Sequence, residues 1–182
     1  NPETDLVPFE KMQLLDRQAM ATAIATHRLV QRWFDEYSFS SIVQQLARYC
    51  SVELSAHYLD MTKDRLYVEA AAGLKRRSAQ TAQYYILTLL NQMIAPLMPY
   101  TAEDVFLATP YIKKERSVHL QRFLQLEVPS VASSGMWEML NKLREEVLKQ
   151  IEQLRAAGIV KQSLEAAVTI KNINETEYTE AF

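Results

Sequence analysis

Positive charge gathers in two clusters, Lys63/Arg65 and Lys75/Arg76/Arg77, inside the stretch YLDMTKDRLYVEAAAGLKRRSAQT from Tyr58 to Thr81. Ammonium and guanidinium groups packed this closely can neutralise phosphates, lysine as a point charge and arginine through paired donors. They can equally clamp helices together through carboxylates such as Asp60, Asp64 and Glu69. The two roles stay open at this level. With a formal net charge of −2, the chain has no global pull on a polyanion, so any such binding must be local.

Other reactive residue types lack partners at useful spacing. Cys50 is the only cysteine, which excludes an internal disulfide and a multi-cysteine metal site and fits a reducing compartment. It lies on an apolar stripe with no base in sequence reach, as a small core residue does. His27 sits in an apolar stripe and reads as a packed core histidine. His57 has Asp60 three residues on, a pair common on helices, and His119 alone cannot hold a metal. Glu145 and Glu146 belong to a charged helix face. There is no glycine-rich phosphate loop, paired-histidine zinc motif or serine-hydrolase elbow. No catalytic residue and no metal site is assigned.

The elements that position the basic clusters follow from apolar periodicity. Met20, Ala23, His27, Val30, Phe34 and Tyr37 recur at steps of three and four, one face of a helix from Met12 to Tyr37. A second helix has Phe39, Ile42, Val43, Leu46, Cys50, Leu54, His57, Tyr58 and Met61 inward, with Ser51 marking a bend or a fresh start. A third, from Lys75 to Leu97, spans on the order of 34 Å and faces inward through Ala79, Ala82, Ile86, Leu89, Leu90, Met93, Ile94 and Leu97. Its first-turn cations oppose the helix dipole, so they need a local reason. Pro96 and Pro99 stop it. Thr101 heads TAED as a capping-box-like start to a short helix through Leu107. The segment from Pro110 to Pro129, carrying Lys113, Lys114 and Arg116, reads as a surface loop. A fifth helix runs from Ser134 to Ala156 with a seam of Trp137, Leu140, Leu143, Val147, Ile151 and Leu154, and Gly158 ends it. Leu164, Ala166, Val168 and Ile170 alternate, which predicts a strand. Trp33, Trp137 and the tyrosines read as core, since most fall on seams.

These elements predict an all-α, antiparallel helical bundle of about five helices with a short C-terminal strand. The boundary falls between a bundle at 1–160 and the start of a truncated extension at 161–182. Hydrophobic residues make up 48% of the chain and only three are glycine, which favours helices with a real core over disorder. No apolar run can span a bilayer and no signal peptide is visible, so the expectation is a soluble, cytoplasmic protein without a membrane partner. The start at Asn1-Pro2, without methionine, reads as a piece of something longer.

Six strings occur in order along the chain: LDR at Leu15 to Arg17, YCSVELSAHYLDMTKDRLY from Tyr49, RRSAQTA from Arg76, APLMPYTAEDVF from Ala95, SVHL from Ser117 and SLEAAVTI from Ser163. Together they resemble the anticodon-binding helical region of the bacterial-type isoleucine–tRNA synthetases, a class I family. The valine and leucine synthetases share the bundle but resemble this sequence less around KDRLY and RRSAQT. The resemblance implies a module for the anticodon stem and loop of isoleucine tRNA, with Lys63, Arg65, Lys75, Arg76 and Arg77 as candidate phosphate contacts. It implies a parent that attaches isoleucine to tRNA using ATP and Mg, acts as a monomer, and packs this bundle on its catalytic domain. The HIGH and KMSKS signatures are absent here, so this piece carries no catalysis and needs no cofactor of its own. The zinc module of many bacterial members needs cysteines that this chain lacks. A scaffold role without RNA binding, or the equivalent domain of a valine or leucine synthetase, is the alternative.

Overall fold

A computed structural model describes residues 2, 4–109, 115–127, 134–162 and 165–170. Lys113, Lys114, Ser163, Leu164 and both ends of the Pro110–Pro129 segment lie outside these. The chain divides into two compact units, residues 1–130 and 131–182.

In the first unit the helices are α1 (Leu14–Asp35), α2 (Phe39–Arg48), a π-helical segment (Tyr49–Leu59), α3 (Asp60–Tyr67), α4 (Leu74–Ile94) and α5 (Pro99–Ala108). Single 3-10 turns occupy Phe9–Lys11 and Val118–Leu120. The second unit holds α6 (Ser134–Ala156). Every regular element among the described residues is helical, as expected. Residues 166–170 form no regular structure, and no described strand could pair with them, so the predicted strand is not formed there.

Direction in the first unit follows from its contacts. Near the start of α1, Asp16 meets Ser78 early in α4, while Val30 shares a cluster with Ile42, Leu46 and Met93. Thus α1 and α4 run parallel and form the most extensive helix pair, while the α2–π–α3 rod returns antiparallel between them. The larger apolar cluster joins Met12, Met20, Ala23 and Ile24 to Tyr49, Tyr58, Ala82, Ile86 and Leu89. A third, of Ala95, Ala102, Phe106 and Val118, closes the α4–α5 end.

The rod departs from the expected period, with consequences for the site. Tyr49 and Tyr58 are both buried, although nine positions of an α-helix would turn them to opposite faces. The π segment between them bonds over five residues and widens each turn, which returns Tyr58 to the inner face. An α-helical stripe therefore mispredicts this stretch by omitting Tyr49, while Cys50 packs half-buried against the larger cluster as that stripe expects. Ser51 does not start a helix; its hydroxyl donates to the Ala47 carbonyl within the continuous rod.

The α1–α2 corner is equally local. Tyr37 N–H donates to Phe34 O and Ser38 N–H to Trp33 O, the paired bonds of a Schellman cap. Ser38, at φ −85° and ψ 58°, then makes an inverse γ-turn in which Phe39 N–H donates to Tyr37 O. The cap forces Tyr37 to φ 55°, a left-handed conformation costing a side-chain-bearing residue about 1 kcal/mol or more. Tyr37, Phe39 and Val43, predicted inward, are exposed, because the turn carries them past the seam. The same cap ends α6, where Gly158 at φ 72° fills the position without strain.

Helix α5 begins at Pro99, not Thr101: proline takes the first helical position, where a missing N–H costs nothing. The described part of the predicted surface loop, residues 115–127, is irregular apart from one 3-10 turn and is tied to the bundle. Gln92 Oε1 accepts from Leu124 N–H and Gln92 Nε2 donates to Arg122 O, so one side chain serves residues 121–127 as a partner strand would. Arg28 donates to Leu126 O, and Phe123 lies edge-on to the buried His27 at 5.4 Å. Glu103 accepts from Ser117 Oγ and Val118 N–H, which ties the turn to α5. Replacing Gln92 by alanine strands two backbone groups, so Gln92→Ala should lose about 1–3 kcal/mol in urea unfolding and speed amide exchange at Leu124.

Candidate nucleic-acid interface

The junction carrying the basic clusters is organised by a carboxylate. Asp16, in the first turn of α1, has no solvent exposure. It accepts from the Tyr58 hydroxyl at 2.8 Å and from the Ser78 hydroxyl at 2.5 Å. Arg65 Nη1 lies 3.5 Å from its Oδ2. One side chain thus binds α1, the π segment, α3 and α4. Burial raises the Asp16 pKa, against the opposing effects of the two hydroxyls and Arg65, and burial beside this carboxylate pushes the Tyr58 phenol far up.

The RRSAQT motif follows from this arrangement. Ser78 also accepts from Gln13 N–H, and Thr81, one turn on, accepts from Val7 N–H. Both hydroxyls point inward and stitch the N-terminal segment to α4. Ala79 and Ala82, each next in sequence to one of these hydroxyls, are fully buried; they present no bulk to this seam.

The five predicted site residues surround the junction unequally. Arg65 is held at Asp16 with its side chain 26% exposed. Arg76, half-buried, donates to the Glu69 carbonyl. Arg77 pairs with Asp5 at 3.5 Å. Lys75 reaches Glu69 at 4.0 Å and Lys63 reaches Asp60 at 2.7 Å, both from exposed positions. Asp60 raises the Lys63 pKa through that hydrogen bond. Glu69 and Asp5 thus supply the negative charge that the first turn of α4 lacks, which answers the dipole conflict. The turn is tight: a Cβ on Gly73 would lie 3.0 Å from the Ala70 carbonyl oxygen. Beside the cations, Tyr67, Val68 and Leu74 are exposed. Tyr67, like Tyr37 and Tyr100, overturns the expectation that the tyrosines are core, because each lies at or beyond a helix end.

Residue type alone does not mark Asp16, Tyr58 or Ser78. Their signal was membership of the motif strings, since an isolated Asp-Arg pair carries no chemistry by itself. His27 is buried beside Phe123, and burial lowers its pKa. Cys50 is half-buried and burial raises its pKa, the opposite of an activated thiol. Among the described residues no group of His, Cys, Asp and Glu could hold a metal, and no helix is long and apolar enough to cross a membrane.

Removing the Asp16 carboxylate takes the short-range acceptor from the Tyr58 and Ser78 hydroxyls and the counter-charge from Arg65. Asp16→Ala should lower unfolding stability by about 3 kcal/mol. The raised pKa sets the pH behaviour. As pH rises above about 3.8, the unfolded chain gives up the Asp16 proton before the folded one. Stability from this group is full below that value and is lost through the raised folded pKa. Relative to Asp16→Asn, the unsubstituted protein should therefore lose stability as pH rises through this window, measured as the difference between their urea midpoints.

The profile of the anticodon-binding domain of tRNA ligases matches residues 16–170. Isoleucine–tRNA ligases are similar along almost the whole chain. That of Fervidobacterium nodosum is 37% identical over 174 residues, 94% of this chain and 19% of its own length. That of Erwinia tasmaniensis is 40% identical over 93% of this chain and 18% of its own length. That of Brevibacillus brevis is 36% identical over 93% of this chain. The chain spans about a fifth of the length of these curated relatives. An all-helical bundle seamed by LDR, KDRLY and RRSAQT, matched along its length, belongs to the anticodon-binding domain family of tRNA ligases.

Proposed function

We propose that this chain is the module with which an isoleucine–tRNA ligase holds the anticodon stem and loop of its tRNA. The observation that carries this reading is the family match across residues 16–170, together with relatives named as isoleucine–tRNA ligases. On this reading the whole protein attaches isoleucine to tRNA using ATP and Mg, in the cytoplasm and as a monomer. Catalytic groups and any zinc module belong to other parts of that polypeptide, whose catalytic domain this bundle packs against.

The cations divide by what releasing them would cost. Lys63 and Lys75 are exposed, and their carboxylate partners hold them weakly, so a phosphate can take them over. Arg76 and Arg77 are half-buried and can share donors between their present acceptors and RNA. Arg65 leaves Asp16 only by stranding a buried charge, so it acts by holding the junction in shape.

A second reading, a scaffold that does not bind RNA itself, draws on one observation: each of the five cations already has an acceptor within the chain. Titrating the protein with an isoleucine-tRNA anticodon stem-loop and an unrelated stem-loop, at several salt concentrations, separates the two. RNA contact predicts preference for the first. It also predicts that Lys63→Gln with Lys75→Gln lowers the slope of log K against log salt by one to two units at unchanged Tm. Equal, negligible binding at low salt would establish the scaffold.

A further inference from the structure

At the far end of α1 from the basic junction, Tyr37 is the one non-glycine with positive φ among the described residues. Its position is the αL site of a cap where glycine is the unstrained choice, as Gly158 shows in the same role on α6. The tyrosine side chain does not offset that strain by burial. It is 79% exposed, and its hydroxyl makes no hydrogen bond to a described residue.

Its ring is nonetheless held. Tyr37 meets Phe39 edge-to-face at 6.3 Å, Phe39 meets Phe34 at 6.2 Å, and Phe34 meets Phe123 at 6.2 Å, with His27 next at 5.4 Å. An aromatic train therefore runs from the core to the surface and ends in an exposed phenol on a backbone locked by the cap and the γ-turn. Strain kept at an exposed position, with the side chain oriented by neighbours, marks a binding element. Tyr67 and Tyr100 are as exposed but lie in ordinary helical backbone, where exposure carries no conformational cost.

We propose that Tyr37, braced by Phe39, is a stacking platform for an unpaired base of the RNA that this domain binds. This rests on the RNA-binding reading above. The chemistry fits a base better than a protein partner. Tyr37, Phe39 and Val43 are three exposed side chains, far short of the roughly 800 Å² per partner of a stable protein interface. A nucleobase needs a single aromatic face. Arg32, Asp35 and Glu36, all exposed, flank Tyr37 with mixed charge, so the corner offers no phosphate site of its own and what it presents is the aromatic face. Binding here adds affinity without adding phosphate contacts.

The decisive variant separates function from fold, because Tyr37→Gly relieves the αL strain. It should raise Tm by a few degrees while weakening binding of the anticodon stem-loop roughly tenfold, with the salt slope unchanged. Tyr37→Trp should keep the affinity. In a stem-loop with 2-aminopurine at successive loop positions, one position should be quenched by the unsubstituted protein and the Trp variant but not by the Gly variant. If the unsubstituted protein binds no RNA, the underlying reading fails and this proposal with it. If it binds and Tyr37→Gly binds equally well, the proposal alone is overturned. A change in sedimentation behaviour at unaltered RNA affinity would also overturn it, in favour of a protein contact at this corner.

Discussion

A carboxylate without access to water must find its hydrogen bonds and counter-charge inside the protein. Asp16 takes them from Tyr58, Ser78 and Arg65, on three other segments of the unit. Each donor can reach only if its helix has one rotation and one axial position. The hydroxyls of Ser78 and Thr81 then extend the same registration to the N-terminal segment. Apolar packing alone would tolerate sliding among these helices, since clusters of leucine, isoleucine and methionine are insensitive to small shifts. A buried polar centre is not.

That constraint also explains the crowding of positive charge. Arg65 answers the buried charge, and the first turn of α4 borrows Glu69 and Asp5 to offset its own cations. The structure shows the clamp directly, in the acceptors that each cation finds within the chain. The half-buried arginines shape a surface on which the exposed lysines stand. At the opposite end of α1, about 33 Å away along its 22 residues, the surface is aromatic and flanked by mixed charge. On the proposed reading, long-range, salt-sensitive attraction would belong to one end and short-range stacking to the other.

The π segment links these features. Nine α-helical positions would have turned Tyr58 away from Asp16, and the wider turns bring it back. Its local cost is poorer backbone geometry over eleven residues. The return is a tyrosine hydroxyl at the buried carboxylate, where α1, the rod and α4 are joined by hydrogen bonds. Gln92 solves a similar problem at the other end, satisfying backbone groups of a segment that has no strand beside it.

Much of the architecture was legible in the residues. The helices, the stop at Pro96, the Gly158 cap and the core position of His27 follow from periodicity and local backbone chemistry, which neighbouring residues determine. The ordered motif strings carried the family. What periodicity could not give was anything set by groups distant in the chain. Asp16 and Ser78 are 62 positions apart, and nothing local says that a first-turn aspartate is buried. The π widening, the inward turn of residues 121–127 and the outward turn of Tyr37 likewise arise from packing between elements. By itself the sequence determined that this chain is a helical bundle of the anticodon-binding kind, with two basic clusters near one helix junction. Only the tertiary structure decided which of those cations hold the bundle and which remain exposed, because burial and the choice of partner are properties of helices brought together.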